Sequence, residues 1–279
     1  MREDEDPDAD VFLPLRPLPG GPRDRRERDR ERRIAEHISR RWEHSGEPPR
    51  RVRGLSLPDI VATAIAVADA DGTEAVSMRR IARELRVGAM SLYWYVASKE
   101  ELHQLMLERV QAESDVPEPS GDWRADLRAY ARNTRATLLR HPWAIDFLGN
   151  GPPSGPNDAR NAERVIGAFD GLGLDIPTVM YSVTTVGTYV LGAVLREVQE
   201  IRWHETAAEA IEGLTETEVA EFLGDLDRRI RESGRYPHLV RILDEDFDPD
   251  SPETRDIRFE FGLDCVLDGI AAKIGKAPG

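Results

Sequence analysis

A chain of 279 residues is long enough for two domains, and its 40% apolar residues are enough to build a buried core. The net charge of −14 excludes a protein that coats nucleic acid over its whole surface, and the single cysteine, Cys265, excludes an internal disulfide or a cysteine-built zinc site. The acidic, proline-rich start is unlike a signal peptide and no run of roughly 18 apolar residues is read as a membrane span, so a cytoplasmic protein without membrane contact is expected.

Residues 1–49 read as an extension. Its first 22 residues combine acidic side chains with a proline-rich FLPLRPLPGGP stretch, a composition that favours disorder. Arg23 to Trp42 interleaves opposite charges around one narrow apolar stripe, Ile34, Ile38 and Trp42. This is either a solvated helix with a small docking face or a helix that touches nucleic acid or braces a dimer. Arg50, Arg51 and Arg53 follow, either as solubilising charges or as a basic arm that reaches a phosphate or a minor groove. From Pro22 to Val110 basic residues slightly outnumber acidic ones, whereas the remainder is acidic; that distribution suits a DNA-facing module on a body that repels phosphate.

Residues 50–113 carry four short helical patterns. Ser56 is placed to cap the first, with Asp59 completing a capping box and Pro58 in the first turn, where a missing donor costs nothing. Ile60, Val61, Ala64, Ile65 and Ala68 form its inner face, and Asp71-Gly72 stops it. Ser77 caps the second; Ile81, Ala82 and Leu85 face inward and Val87 plugs the following turn. The third is read as Gly88 through Val96, anchored by Leu92, with Ala89, Met90 and Tyr93 outward. Adjacent helical residues point 100° apart, so Tyr93, Trp94 and Tyr95 cannot all be buried; Trp94 is assigned to the core. Ser98 with Glu101 caps the fourth. Two helices across a tight turn, the second short, are a device for placing a helix in a major groove. Arg79 suits a guanine edge or a phosphate. Ser77, Ser91, Tyr95 and Lys99, hydroxyls and a cation near helix starts, suit phosphate oxygens, and Arg53 joins them from the basic arm.

After a linker, SDVPEPSGD, residues 122–279 show helical patterns at 123–139, 157–172, 178–201, 215–232 and 254–274, separated by Gly/Pro-rich breaks. No alternating strand pattern stands out, so the fold class is all-α: a helix-turn-helix domain followed by a helical body. Trp123, Tyr130, His141, Trp143, Phe147, Met180, Tyr181 and Tyr189 are candidate pocket residues, each equally readable as core. No Cys/His pairing, metal-spaced histidine cluster or phosphate-binding glycine loop supports an enzyme, and no cofactor or metal is expected.

The run SMRRIARELRVGAMSLYWYVASKEELHQLM resembles the tetracycline-repressor family of transcriptional regulators. LLRHPWAIDFL, GPPSGPNDARNAERVIGAFDGLGL and FEFGLDCVLDGI resemble the ligand-binding half of its tetracycline-repressor branch. The resemblance implies a homodimer that binds a palindromic double-stranded DNA operator and releases it when a small hydrophobic or amphipathic effector, here unidentified, enters the body. It places Arg79, Ala89, Met90 and Tyr93 at base-reading positions and Ser77, Ser91, Tyr95 and Lys99 at backbone-gripping ones. It pairs helices 178–201 and 254–274 with their symmetry mates, with Val183, Val186, Val190 and Val194 and then Leu263, Val266, Leu267, Ile270 and Ile274 at the seam and Gly187 and Gly192 allowing close approach. His141 falls near a metal-ligating histidine of the tetracycline repressor, but equally marks a His-Pro helix break. Arg86 departs from the family, which has glycine at this turn, and the extension has no counterpart in it. The alternative reading is a regulator controlled by a protein partner through the extension, without a small effector.

Overall fold

The computed structural model describes residues 55–147, 155–210, 213, 215–245 and 251–275; the extension with Arg50, Arg51 and Arg53 lies outside the described residues. All regular elements described are helical, which agrees with the expected class.

Helix α1, Leu57–Asp71, starts where Ser56 accepts the Asp59 N–H; the Ser56 hydroxyl also donates to the Asp59 carboxylate, so the expected box closes through side chains rather than back to the Ser56 N–H. Ile60, Val61, Ala64, Ile65, Val67 and Ala68 are buried, and Gly72 at φ 78° ends the helix. Ser77 caps α2, Met78–Glu84, by accepting the Arg80 N–H. Helix α3 is a single turn, Ala89–Leu92, shorter than the Gly88–Val96 expected. Helix α4, Lys99–Gln111, is capped by Ser98, and Glu101 reaches back to the Ala97 N–H at 2.6 Å.

The turn between α2 and α3 is a Schellman motif. The Val87 N–H donates to the Ala82 carbonyl (2.9 Å) and the Arg86 N–H to that of Arg83 (3.2 Å). This motif needs a left-handed residue, and Arg86 supplies it at φ 55°, the one positive φ on a non-glycine among the described residues.

The body continues through α5, Trp123–Arg140, α6, Pro156–Gly167, α7, Ile176–Ala210, α8, Glu216–Glu232, α9, Pro237–Asp244, and α10, Arg255–Ile274. Asp122 caps α5 by accepting the Arg124 and Ala125 N–H groups. Helix α6 stops at Gly167, five residues short of the expectation, and α7 runs nine residues past Ile201. Helix α9 was not anticipated: Pro237, read as part of a break, instead occupies its first turn. A polar staple fastens α6 to the end of α4. The Asn157 N–H donates to Glu108 (2.8 Å), the Asn161 side chain to the Gln111 carbonyl (3.0 Å), and Arg164 to the Val116 carbonyl (2.6 Å).

Helix α10 divides its surface into stripes four residues apart. Phe259, Leu263, Leu267 and Ile270 are buried. Asp256, Glu260, Asp264 and Asp268 meet Arg135, Arg132, Arg128 and Arg124 of α5, an antiparallel ladder with most contacts at 2.6–3.0 Å. Ile257, Phe261, Cys265 and Gly269 face outward. The Arg124 and Arg132 rungs are exposed ion pairs, each contributing under about 1 kcal/mol, and the Arg128 rung is part-buried. Arg135 differs. It forks onto Glu197 of α7 at 2.9 and 3.1 Å, both side chains are about 14% exposed or less, and its guanidinium lies 4.6 Å over the Phe259 ring.

Two expectations are corrected here. Val186, Val190 and Val194, and likewise Leu263 and Leu267, are fully buried inside their own chain, so they do not form an outer seam. The most apolar period of each helix marks the chain's own core because that is its driest neighbour. Gly187 faces Tyr130 of α5, and Gly192 opens onto free space. Helix α7 is also uncharged from Ile176 to Leu195, and over Ile176–His204 it has the length and mean hydropathy (1.4) of a bilayer span, contrary to the reading that no such run exists. Its outer stripe is Tyr181, Thr185, Thr188, Gly192 and Leu195.

Three outcomes follow for stability. Arg86→Gly relieves the left-handed strain and is expected to stabilise the chain by about 0.5–1 kcal/mol in denaturant titration. Unchanged or lower stability contradicts the strain. Arg135→Ala leaves Glu197 buried and unpaired and is expected to cost about 3–5 kcal/mol, against under about 1 for Arg124→Ala. Hydrogen bonds from Arg132 and Arg128 hold the carboxyls of Glu260 and Asp264, respectively, below the usual carboxylate range. Their contribution is therefore complete above the unfolded carboxylate pKa of about 4 and lost as pH falls through the lower folded values. Thermal melts from pH 6 to pH 2 are expected to fall less steeply in a Glu260→Gln/Asp264→Asn double variant than in the parent.

Candidate nucleic-acid interface

The unit α1–α4 holds its short third helix by one side chain. Leu92 is fully buried in the core that also holds Ile81, Ala82 and Val96. With Leu92 and Val96 pointing inward, Met90 and Tyr93 on either side of Leu92 are turned out, 76% and 49% exposed. Trp94 is 88% exposed, against its assignment to the core. The physical reason is that Leu92 and Val96, joined by the Val96 N–H bond to the Leu92 carbonyl (3.0 Å), both point inward, and Trp94, two residues from each, lies roughly 200° round the turn from them.

Arg79 is exposed on α2, whereas Arg80 is held by Asp71 (3.1 Å) and Glu84 (2.7 Å). Ser77 and Ser91 are exposed, Lys99 is half-buried at the first residue of α4, and Ala89 is half-buried against the core. Tyr95 is turned differently. Its hydroxyl donates to the Leu55 carbonyl at 3.0 Å, so its proton ties the segment before α1 to the end of α3. Arg53 lies outside the described residues. The same unit exposes Arg79, Arg83 and Arg86 together with Tyr93, Trp94 and the hydroxyls of Ser77 and Ser91. A short protruding helix with cationic flanks matches a groove about 12 Å wide.

The candidate pocket residues do not converge. Trp123 stacks on Phe169 with centroids 6.0 Å apart, and Tyr130 lies against α7 at Gly187, where burial pushes its phenol up. His141, Trp143 and Phe147 sit instead where the body meets α1 and α4. Met180 and Tyr181 are on the outer side of α7, 42% and 72% exposed. Tyr189 packs against Gly262, which has no room for a side chain, and donates to the Phe259 carbonyl at 2.7 Å. A cleft of about 400 Å³ between α7 and α10 is lined by Thr188, Gly192, Arg196, Arg255 and Arg258, and of the eight candidates Tyr189 alone reaches it. His141 does not face a metal cavity: its ring nitrogens lie 2.8 Å from Asp69 and 3.1 Å from Glu113. Among the described residues no group of three or more His, Cys, Asp or Glu side chains is arranged to hold a metal ion.

An all-α chain that presents a helix-turn-helix on one end of a larger helical body is a DNA-binding transcriptional regulator. Residues 60–106 match the family described as bacterial regulatory proteins, tetR family, and residues 116–274 match the tetracyclin repressor-like C-terminal domain. The HTH-type transcriptional repressor DrrR1 of Streptomyces coeruleorubidus is 35% identical over 249 residues, 88% of each chain. The class E tetracycline repressor protein of Escherichia coli is 25% identical over 226 residues, covering 80% of this chain and 93% of its own. Among solved structures, apo ActR of Streptomyces coelicolor superposes with a TM-score of 0.60 at 28% identity, covering 82% of this chain and all of its own; the complex of ActR with actinorhodin gives 0.59 at 28%, covering 81% and all of its own. The chain belongs to the TetR family of transcriptional regulators.

Proposed function

We propose that the protein is a homodimeric repressor that binds a palindromic operator and releases it when a small apolar or amphipathic molecule enters the body. The carrying observation is the exposed surface over buried Leu92: Arg79, Met90 and Tyr93 stand outward there, with Ala89 at the edge. In this reading they meet base edges, while Ser77, Ser91, Lys99 and, from the basic arm, Arg53 meet phosphates. Tyr95 braces the unit through Leu55. Residues 50–113 form the DNA-binding domain and 122–279 the body. The relatives named repressors support the sign of regulation, and the ligand complex of ActR supports an effector.

The second copy covers the outer stripes of α7 and α10. Tyr181, Thr185, Thr188, Gly192 and Leu195 recur at alternating four and three residues, the spacing of a helix-bundle seam, beside Ile257, Phe261 and Cys265. This assignment also accounts for an apolar α7 that its own chain leaves mostly uncovered. The effector's seat lies between α5, α6 and α7 near Trp123 and Tyr130. Its arrival displaces α4, changes the separation of the two α3 helices from the roughly 34–36 Å of successive grooves, and lowers affinity.

Two measurements test this. With labelled DNA from upstream of the protein's own gene, sequence-selective and salt-sensitive binding is expected, and Arg79→Ala is expected to weaken it about 10- to 100-fold. No selective binding by the parent rejects the function. Phe261→Asp, at a 72% exposed position, is expected to halve the solution mass by light scattering while leaving the helical circular dichroism intact. A variant that stays dimeric rejects the seam.

A further inference from the structure

We infer that the DNA-binding domain is fastened to the body twice, once through α4 and once through a hydrogen-bonded latch in which the α1 carboxylate of Asp69 receives the indole of Trp143 and the ring of His141. Both donors converge on a single oxygen: Trp143 Nε1 lies 2.7 Å and His141 Nδ1 2.8 Å from Asp69 Oδ1. The other His141 nitrogen, Nε2, lies 3.1 Å from Glu113, just beyond α4, and Arg140 stands 3.9 Å from the same carboxylate. A ring carrying both protons donates to both carboxylates; a singly protonated ring donates to one.

The position makes this more than a local contact. His141 ends α5, and the turn after it, Pro142–Phe147, packs on α1, α4, α5 and α7 at once. Phe147 lies 5.0 Å from the His103 ring of α4 and 6.3 Å edge-on from Trp143, so the turn is wedged between the two attachments. The donors are on the body and the main acceptor is on the DNA-binding domain. Trp143 and His141 are only 6% and 8% exposed, so with α1 in place Asp69 is the acceptor that both ring nitrogens meet. An indole N–H only donates, and a buried donor without a partner is costly, so the turn and α1 move together or part at a penalty. A shift of α5 or α7 therefore reaches α1 directly as well as by way of α4. Asp69, His141 and Trp143 are positioning residues; none of them reaches the face that carries Arg79 and Tyr93.

Hydrogen–deuterium exchange on the full-length protein tests the latch without an effector. Asp69→Ala removes the oxygen that the two donors share, at a side chain that is partly exposed, and Asp69→Asn keeps a carbonyl oxygen for them. In Asp69→Ala the amides of residues 57–92 are expected to exchange about tenfold faster or more, while those of α5, α7 and α10 keep parental rates. Asp69→Asn is expected to retain most of the protection. Unchanged exchange at 57–92 in Asp69→Ala overturns the latch, and so does an equal rise through α5, α7 and α10, which marks a general loss of stability. The second readout rests on the proposed function. On the same upstream DNA, Asp69→Ala is expected to bind roughly tenfold more weakly at unchanged dimer mass. Equal binding by parent and variant overturns the latch's part in presenting α3. Failure of the parent itself to bind rejects the repressor reading and leaves the exchange data to decide the latch.

Discussion

The arrangement of the body depends on the register between α5 and α10. Much of the core between them and α7 is valine, leucine and alanine, residues that fill space without marking one position against the next; Tyr189 against Gly262 and Phe259 is an exception. The charges mark it. Arginines at 124, 128, 132 and 135 run antiparallel to acids at 268, 264, 260 and 256, each set repeating at three or four residues. A slip of α10 by one residue turns the acidic stripe by 100° and removes every rung together. The outer rungs add little energy individually, so their effect is on specificity. The inner one, Arg135 with Glu197 and Phe259, ties the same register to α7 and is the part that stability depends on.

That register decides what remains outside. With one stripe of α10 in the core, one against the arginines and one against α7, the stripe through Ile257, Phe261 and Cys265 is left in solvent beside the outer stripe of α7. The far end of the molecule has the opposite character. The DNA-binding unit is small, its third helix is one turn long, and its shape rests on Leu92 and on a tight turn that keeps a strained Arg86 where glycine is unstrained. A unit so slight needs external support to present α3 at a defined angle. The α6 staple at Glu108 and Gln111 steadies the far end of α4, and the turn at His141–Phe147 steadies α1.

Local chemistry and the inner faces of α1 and α2 were legible in the sequence; what covers the apolar faces of α7 and α10 was not. Ser56, Ser77 and Ser98 cap as read, because a cap involves only residues three positions apart. Arg86 stood out only against the glycine that the resembled family carries at this turn; its left-handed conformation is seen in the turn's own hydrogen bonds. Trp94 failed because Leu92 and Val96 take the inward positions of this turn, and a run of three aromatics does not show which neighbours do so. The valines of α7 failed because an amphipathic period shows that a face is covered without showing whether the cover is its own chain or another. His141 read as a helix break or a ligand; its partners, Asp69 and Glu113, lie 72 and 28 residues away, beyond any local pattern. The arginine ladder had a signal, four arginines at three- and four-residue spacing matched by four acids at four-residue spacing, which becomes visible only when the two helices are read against each other.

The central claim is that two copies, joined along α7 and α10, set two α3 helices in successive major grooves. A nuclease footprint of the full-length protein on DNA upstream of its own gene, with the stoichiometry of the complex measured by native mass, tests it most directly. The account predicts one protected segment with two-fold symmetry, half-sites about one helical turn (roughly 34–36 Å) or a whole multiple apart, and an even number of chains on each site. A protected segment without symmetry that holds a single chain, or no protection at concentrations where the protein is dimeric, would contradict it.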